Sequence, residues 1–158
     1  MPTTTQIPRA TAPDIQADDG ILWLDDGAGG GIRQLANLVG TLLTSAARTT
    51  TVAGASMTNV NHRGIVIYVV VTAATGTTPT LAVRLNAIDP VTGNAFAVTT
   101  FASITAAGTY AYAIYPTALA GSWTGTLNSI LSRTFSVDFV IGGTTPSFTF
   151  SSGYSMLL

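Results

Sequence analysis

Few side chains in this chain could do chemistry. Among 158 residues there is one histidine, His62, followed by Arg63 and Gly64, and there is no cysteine. All seven acids are aspartates (14, 18, 19, 25, 26, 89 and 138), and all six bases are arginines (9, 33, 48, 63, 84 and 133). Ser, His and Asp are all present, so a triad is arithmetically available. It would need a nucleophile on a strained turn, and no Gly-x-Ser-x-Gly occurs. Acid–base work by two carboxylates needs them to converge on one pocket, and beyond the first 30 residues only Asp89 and Asp138 remain. Asp89 precedes Pro90 in a turn, where its carboxylate is expected to cap backbone N–H groups, and Asp138 falls at an outward strand position. Without cysteine, neither disulfide nor thiolate chemistry is open. No convergent catalytic set is visible, so the sequence points away from an enzyme, and His62 reads as a strand-entry residue at an interface.

Asp18, Asp19, Asp25 and Asp26 form the one acidic cluster. Calcium takes about six to eight oxygen ligands, and four carboxylates could supply part of that shell. The ligand spacing of an EF-hand is missing, however, and tandem Asp-Asp sends its two side chains in different directions. The cluster therefore reads as Asp-Gly turns carrying a docking charge, with no metal and no cofactor expected. Gly27-Ala28-Gly29-Gly30-Gly31 lacks the Lys-Ser/Thr ending of a phosphate loop. A net charge of −1 offers nucleic acid no basic footprint. The longest apolar run, 65–71, is far short of the roughly 20 residues a membrane-spanning helix needs, so no membrane is expected as partner. The N-terminus has no signal-peptide pattern, which makes folding in the producing cell's cytoplasm the default expectation.

The distribution of charge is more telling. Charged residues are 8% of the chain, against about 25% in typical domains, while 47% are hydrophobic. Residues 1–30 hold one arginine and five aspartates, net −4; residues 31–158 hold five arginines and two aspartates, net +3. A body with so little charge is expected to have much of its surface covered by partners, most simply other copies of itself. The acidic stretch carries Pro2, Pro8 and Pro13 and two Asp-Asp-Gly triplets that bracket Ile21-Leu22-Trp23-Leu24. Proline and glycine at this density argue for an extended arm. Ile21, Leu22, Trp23 and Leu24 are its expected anchor on a partner, flanked by Asp18, Asp19, Asp25 and Asp26.

Two kinds of element should position these groups. Over 32–44, Ile32, Leu35, Leu38, Val39, Leu42 and Leu43 recur at helical spacing, which predicts one short amphipathic helix, weakened by Gly40, and an arm-plus-helix region over 1–45. From 46 to 158 the chain predicts an all-β domain with strands over 49–56, 63–73, 80–88, 95–104, 108–115, 132–141 and 147–157. Thr75-Gly76-Thr77-Thr78-Pro79 and Asp89-Pro90-Val91-Thr92-Gly93-Asn94 read as turns. The 65–71 run does not alternate and is expected to be covered on both faces. Seven strands of this kind suit a two-sheet sandwich, jelly-roll or immunoglobulin-like. Residues 116–131 break the rhythm and hold Trp123. They read either as a crossover with Trp123 plugging the end of the sandwich, or as a contact loop.

The run His62-Arg63-Gly64-Ile65-Val66-Ile67-Tyr68-Val69-Val70-Val71, then Thr75-Gly76-Thr77-Thr78-Pro79-Thr80-Leu81, then Asp89-Pro90-Val91-Thr92-Gly93, resembles a group of small structural proteins of tailed bacteriophages. Ile104 to Thr109, Tyr115-Pro116 and Leu131 to Phe135 continue the likeness, which covers roughly residues 48–158. The second apolar strand, ending Leu85-Asn86-Ala87-Ile88-Asp89, lacks the Gly-Lys pair associated with that group. The resemblance implies a virion component of the capsid decoration or cement kind. Such proteins are small, β-rich and commonly trimeric, and they sit on the capsid surface across capsomer junctions. The expected partners are then the major capsid protein and other copies of the chain in a homotrimer. The competing expectation is a tail, baseplate or fibre component that binds glycan through Trp123, Tyr110, Tyr112 and Tyr115.

Overall fold

The computed structural model describes residues 22–25, 32–35 and 37–158 except 120 and 122; for 22–25 and 32–35 it describes the backbone. The chain divides into two compact units, residues 1–35 and 36–158. In the first, strand β1 (Leu22–Asp25) pairs antiparallel with β2 (Ile32–Leu35), Leu22 opposite Leu35 and Asp25 opposite Ile32. The second unit is all-β among its described residues. Its strands are β3 (Leu38–Arg48), β4 (Met57–Thr58), β5 (Gly64–Ile88), β6 (Ala95–Thr100), β7 (Gly108–Ile114), β8 (Gly125–Leu127) and β9 (Thr134–Leu157). They form one hydrogen-bonded sheet in the order β3-β9-β5-β7-β8, with β4 added to β9 and β6 to β5. Every pairing is antiparallel except β7 with β8.

The helix expected over 32–44 is not present among the described residues; 32–35 lie on β2 and 38–44 on β3. The helical spacing comes from a bulged strand. The β3–β9 register shifts between Thr41 and Leu43 and again between Leu43 and Ala46, and Leu42 and Leu43 are both half-buried against the core. An extra residue in a strand breaks strict alternation, and the apolar positions then imitate an i, i+3, i+4 series. Gly40 also serves the sheet: it lies opposite Tyr154, and a Cβ there would meet the Tyr154 ring 2.7 Å away.

The strands expected at 63–73 and 80–88 are one strand, β5, and those expected at 132–141 and 147–157 are one strand, β9. Together they form a ladder of twenty paired positions, from Gly64 opposite Leu157 to Ala87 opposite Phe135. Each bends at the same four residues: Gly76-Thr77-Thr78-Pro79 on β5 recurs as Gly143-Thr144-Thr145-Pro146 on β9. Thr77 lies opposite Thr144. Gly76 and Gly143 have φ of 116° and 110°, and Thr78 and Thr145 have φ of 48° and 47°. A Cβ on Gly76 would meet the Thr145 carbonyl at 2.5 Å, and one on Gly143 would meet the Thr78 carbonyl at 2.5 Å. The corner is therefore reciprocal, each glycine admitting the other strand's Thr-Pro.

This reciprocity extends across the whole body. Val71 opposite Phe150 mirrors Phe139 opposite Val83, and Ala74 opposite Phe148 mirrors Ile141 opposite Leu81. β3 runs beside the second half of β9 as β6 does beside the second half of β5. β4 pairs the first half of β9, Met57 opposite Phe135, as β7 pairs the first half of β5, Tyr112 opposite Ile67. The units β3-β4-β5 and β6-β7-β9 are thus two copies of one arrangement, each wrapped on the other's long strand, with β8 an addition to the second. Both copies supply one core cluster, in which Ile65, Ile67, Leu81, Phe135, Phe148 and Phe150 are fully buried.

Candidate interaction surface

The two acids of the body are both engaged in holding the fold. Asp89 accepts hydrogen bonds from the N–H groups of Val91 and Thr92 and from the Thr92 hydroxyl, the capping role its turn predicts. The Thr92 hydroxyl, then the Val91 N–H, hold its carboxyl below the usual carboxylate range. Asp138 is not at an outward, solvated position: only 6% of it is exposed. It does lie on the opposite face from Phe139, but residues 52–54 run along the edge of β9 beside it, Val52 bridging Phe139 main chain to main chain and the Gly54 N–H donating to Asp138 Oδ1 at 3.0 Å. Asp138 Oδ2 accepts from Arg84 Nη2 at 2.7 Å and from Asn86 Nδ2 at 2.8 Å. Burial raises this carboxyl's pKa; the Arg84, Gly54 and Asn86 hydrogen bonds outweigh it, and the net effect is a lowered value. The expected strand at 49–56 thus contributes a single bridge and this hydrogen bond. Its run of small residues allows close approach, since a Cβ on Gly54 would meet the Val137 carbonyl at 2.2 Å.

His62 lies in the loop that enters β5. Its N–H donates to Asn59 Oδ1 and its carbonyl accepts from Asn59 Nδ2. Buried Asn59 also donates to the Leu131 carbonyl, and Arg63 stacks over Tyr115, 5.5 Å from the ring centre. The His-Arg-Gly motif is therefore a junction of three chain segments. Among the described residues, no group of three or more His, Cys, Asp or Glu is placed to hold a metal ion.

What the body offers a partner is uncharged surface. The outer face of β3-β9-β5-β7 has one row Val39, Ser155, Val66, Ala113 and the next Thr41, Gly153, Tyr68, Ala111. No side chain in either row carries a charge; Val66 (2%) and Ala113 (3%) are buried, whereas Val39 (69%), Tyr68 (43%) and, one row on, Val70 (41%) are exposed. The expectation for 65–71 holds over 65–67, where Ile65, Val66 and Ile67 are all buried; beyond them Val69 and Val71 are buried whereas Tyr68 and Val70 reach solvent. At one end of that face β3 is an edge strand, paired among the described residues with β9 alone. Between β3 and residues 53–57 lies an apolar groove of about 340 Å³ with Leu42, Leu43, Met57, Val137, Phe139 and Tyr154 in its walls. The strand ends at Arg48, whose guanidinium donates to the carbonyls of Thr44, Ala46 and Phe150 and stacks on the Phe150 ring.

Trp123 does not plug an end of the body; it is 38% exposed, in the segment that leads into β8. The aromatic that packs there is Phe101, whose ring centre lies 4.7 Å from that of Tyr112. Tyr112 is core, and burial, then Tyr110, push its hydroxyl up to about 12. Of the arm residues, Ile21, Asp18, Asp19 and Asp26 lie outside the described residues, and Leu22, Trp23, Leu24 and Asp25 lie on β1.

No protein-family model matches the chain, and no curated protein does. Among solved structures, one similar chain is described as "Structure of infectious bursal disease virus Gx strain". The TM-score is 0.41 at 10% identity, over 85% of this chain and 36% of that one. The chain thus spans about a third of that chain's length. At this similarity the match carries no argument about function.

Proposed function

We propose that the chain is a non-enzymatic structural protein of a tailed-bacteriophage virion, a capsid cement or decoration protein that clamps neighbouring capsomers. In this reading the body is a two-sheet sandwich of the jelly-roll or immunoglobulin-like kind, joined through the long strands. It associates as a homotrimer on the capsid surface, with the major capsid protein and other copies as partners and no metal, cofactor, nucleic acid or membrane involved. The observation that carries the reading is the charge-free outer sheet face, with Val39, Tyr68 and Val70 exposed. Both acids of the body are occupied by structural hydrogen bonds, which favours binding over catalysis. The sequence resemblance supports the phage setting.

The function is then binding free energy added across a junction. A protein that binds only the assembled shell stabilises it by mass action, and linked contacts raise the effective concentration. Exposed ion pairs contribute only about 0–1 kcal/mol each, so apolar docking by Ile21 to Leu24 dominates over Asp18, Asp19, Asp25 and Asp26. Deleting residues 1–30 lowers the temperature at which particles release DNA, whereas changing the four aspartates to asparagine has a smaller, salt-dependent effect. Particles protected equally by the truncated protein would refute the clamp. Electron microscopy of the particle tests location: hundreds of copies over the head support cement, and twelve or fewer on the tail refute it.

A further inference from the structure

The two copies of the three-strand unit are alike in arrangement and unlike in size. At the centre of the core Val71 lies opposite Phe150 and Val83 opposite Phe139. All four are buried, and the two phenylalanine rings meet at 5.3 Å between centres. The same division holds along the ladder. β9 gives the core Phe135, Phe139, Phe148 and Phe150, whereas β5 gives it aliphatic residues alone. Phe148 lies opposite Ala74, and Phe135 opposite Ala87. Two first halves paired in this register would put four valines in the central layer and leave it underfilled. Two second halves would put four phenylalanines there and overfill it. Only unlike halves fill the core, so size complementarity selects the partner.

The halves are joined by the turn at 89–94. Residues 90–94 are exposed, Val91 at 89%, and every hydrogen bond they make lies within the turn. Drawn out, six residues span about 20 Å. We propose that copies of this chain join by exchanging halves: residues 37–88 of one copy take up residues 95–158 of a second, and the reverse, with 89–94 opened into the link between the two bodies. Closed and exchanged forms contain the same ladder and the same core, so only the turn and the concentration of copies decide between them. A short link holds a chain's own halves at an effective concentration of roughly millimolar. Exchange gains as copies are crowded towards that level or fold together. The core fixes the occupant, because the second half of another copy is the surface the first half already fits. The inference goes beyond the virion reading and does not depend on it.

The absence of cysteine allows a direct test on the full-length chain. Thr77 and Thr144 are exposed and lie opposite each other at the corner, one on each half. Copies bearing Thr77→Cys and copies of distinguishable mass bearing Thr144→Cys are unfolded in urea, refolded together over a range of protein concentrations and oxidised mildly. A disulfide-linked dimer of both masses is expected, rising with concentration and several-fold above that from copies mixed after separate refolding. Either variant refolded alone should give little dimer, since two copies of position 77 meet only where β5 pairs with β5. Mixed product no greater than that from separately refolded copies overturns the proposal. Equal product from either variant alone also overturns it, because the halves would then not discriminate. A protease site placed between Val91 and Thr92 gives a second measure. After cleavage of the folded chain the two pieces should stay together, and after urea they should recover the body's circular dichroism at a rate that rises with concentration. Pieces that separate, or that fail to recover where the uncut chain recovers, count against the exchange as decisively.

Discussion

Replacing Gly76 with alanine tests the reciprocal corner. The substitution has two separable costs. At φ 116° an L-residue occupies a region that is essentially glycine-only, which costs about 1–3 kcal/mol. The new Cβ would also lie 2.5 Å from the Thr145 carbonyl and 3.0 Å from the Thr144 carbonyl and Pro146 Cα. All three are backbone atoms, so the opposite strand must move; overpacking of this kind costs about 1–3 kcal/mol. The sum is about 2–6 kcal/mol, a large share of the 5–15 kcal/mol that holds a typical domain folded. Gly121 provides the control: its φ is 114° and nothing lies within 4 Å of its Cβ position, so Gly121→Ala should register the backbone cost alone. Urea unfolding of Gly76→Ala, Gly143→Ala and Gly121→Ala measures all three. The corner predicts equal losses at 76 and 143, both above the loss at 121. The double variant should lose less than the sum, because the two sites meet at Thr77 and Thr144. A loss at Gly76 no greater than at Gly121, or strongly unequal losses at the two corner glycines, would refute the argument.

Asp138 should make the fold acid-sensitive. Its folded pKa is lowered, so its contribution is complete above the unfolded value near 3.9 and is lost as pH falls through the folded value. Urea midpoints between pH 5 and pH 2 should fall less steeply for Asp138→Asn. Arg84→Ala, which leaves Asp138 buried without its cation, should cost about 1–3 kcal/mol at neutral pH. Tyr112 gives the opposite dependence: with its hydroxyl raised to about 12, its contribution is present below about pH 10 and is lost as pH rises towards 12. That hydroxyl is buried with no hydrogen-bond partner among the described residues. Tyr112→Phe should therefore stabilise the protein by about 1 kcal/mol and remove the alkaline loss, both measurable by thermal unfolding.

Alternation made the β-class readable from the residues alone, and Leu81, Val83, Leu85, Phe135, Val137 and Phe139 are buried as it predicts. The helix at 32–44 misled because a bulge breaks alternation, and one sequence cannot separate two apolar residues on a bulge from two on a helix face. The corner at 75–79 reads as a turn because Gly-Thr-Thr-Pro has turn chemistry; that a strand continues through it depends on a partner strand bending at the same place. The recurrence of those four residues at 76–79 and 143–146 was the available signal for the internal repeat. Asp138 was misplaced for a related reason: alternation assigns a face but does not reveal that Gly54, Arg84 and Asn86 converge on the carboxylate there. The groove was beyond reach, since its walls come from β3, residues 53–57 and β9, which only the tertiary pairing brings together.

The wrapping of the two copies has a consequence for how the chain must be made. β3 and β4 pair with β9, and β5 pairs with β6, β7 and β9, so no two strands of the first copy pair with each other. As the chain leaves the ribosome, residues 37–88 have no ladder to join, and the apolar run 65–71 emerges without the strands that will flank it. At about 5–20 residues per second, several seconds pass before β9 is complete. The first half is in effect an orphan subunit awaiting its mate on the same polypeptide. Its window of exposure is set by the rate of translation, and slow codons or a pause between residues 89 and 134 would lengthen the time in which two nascent chains could pair with each other instead.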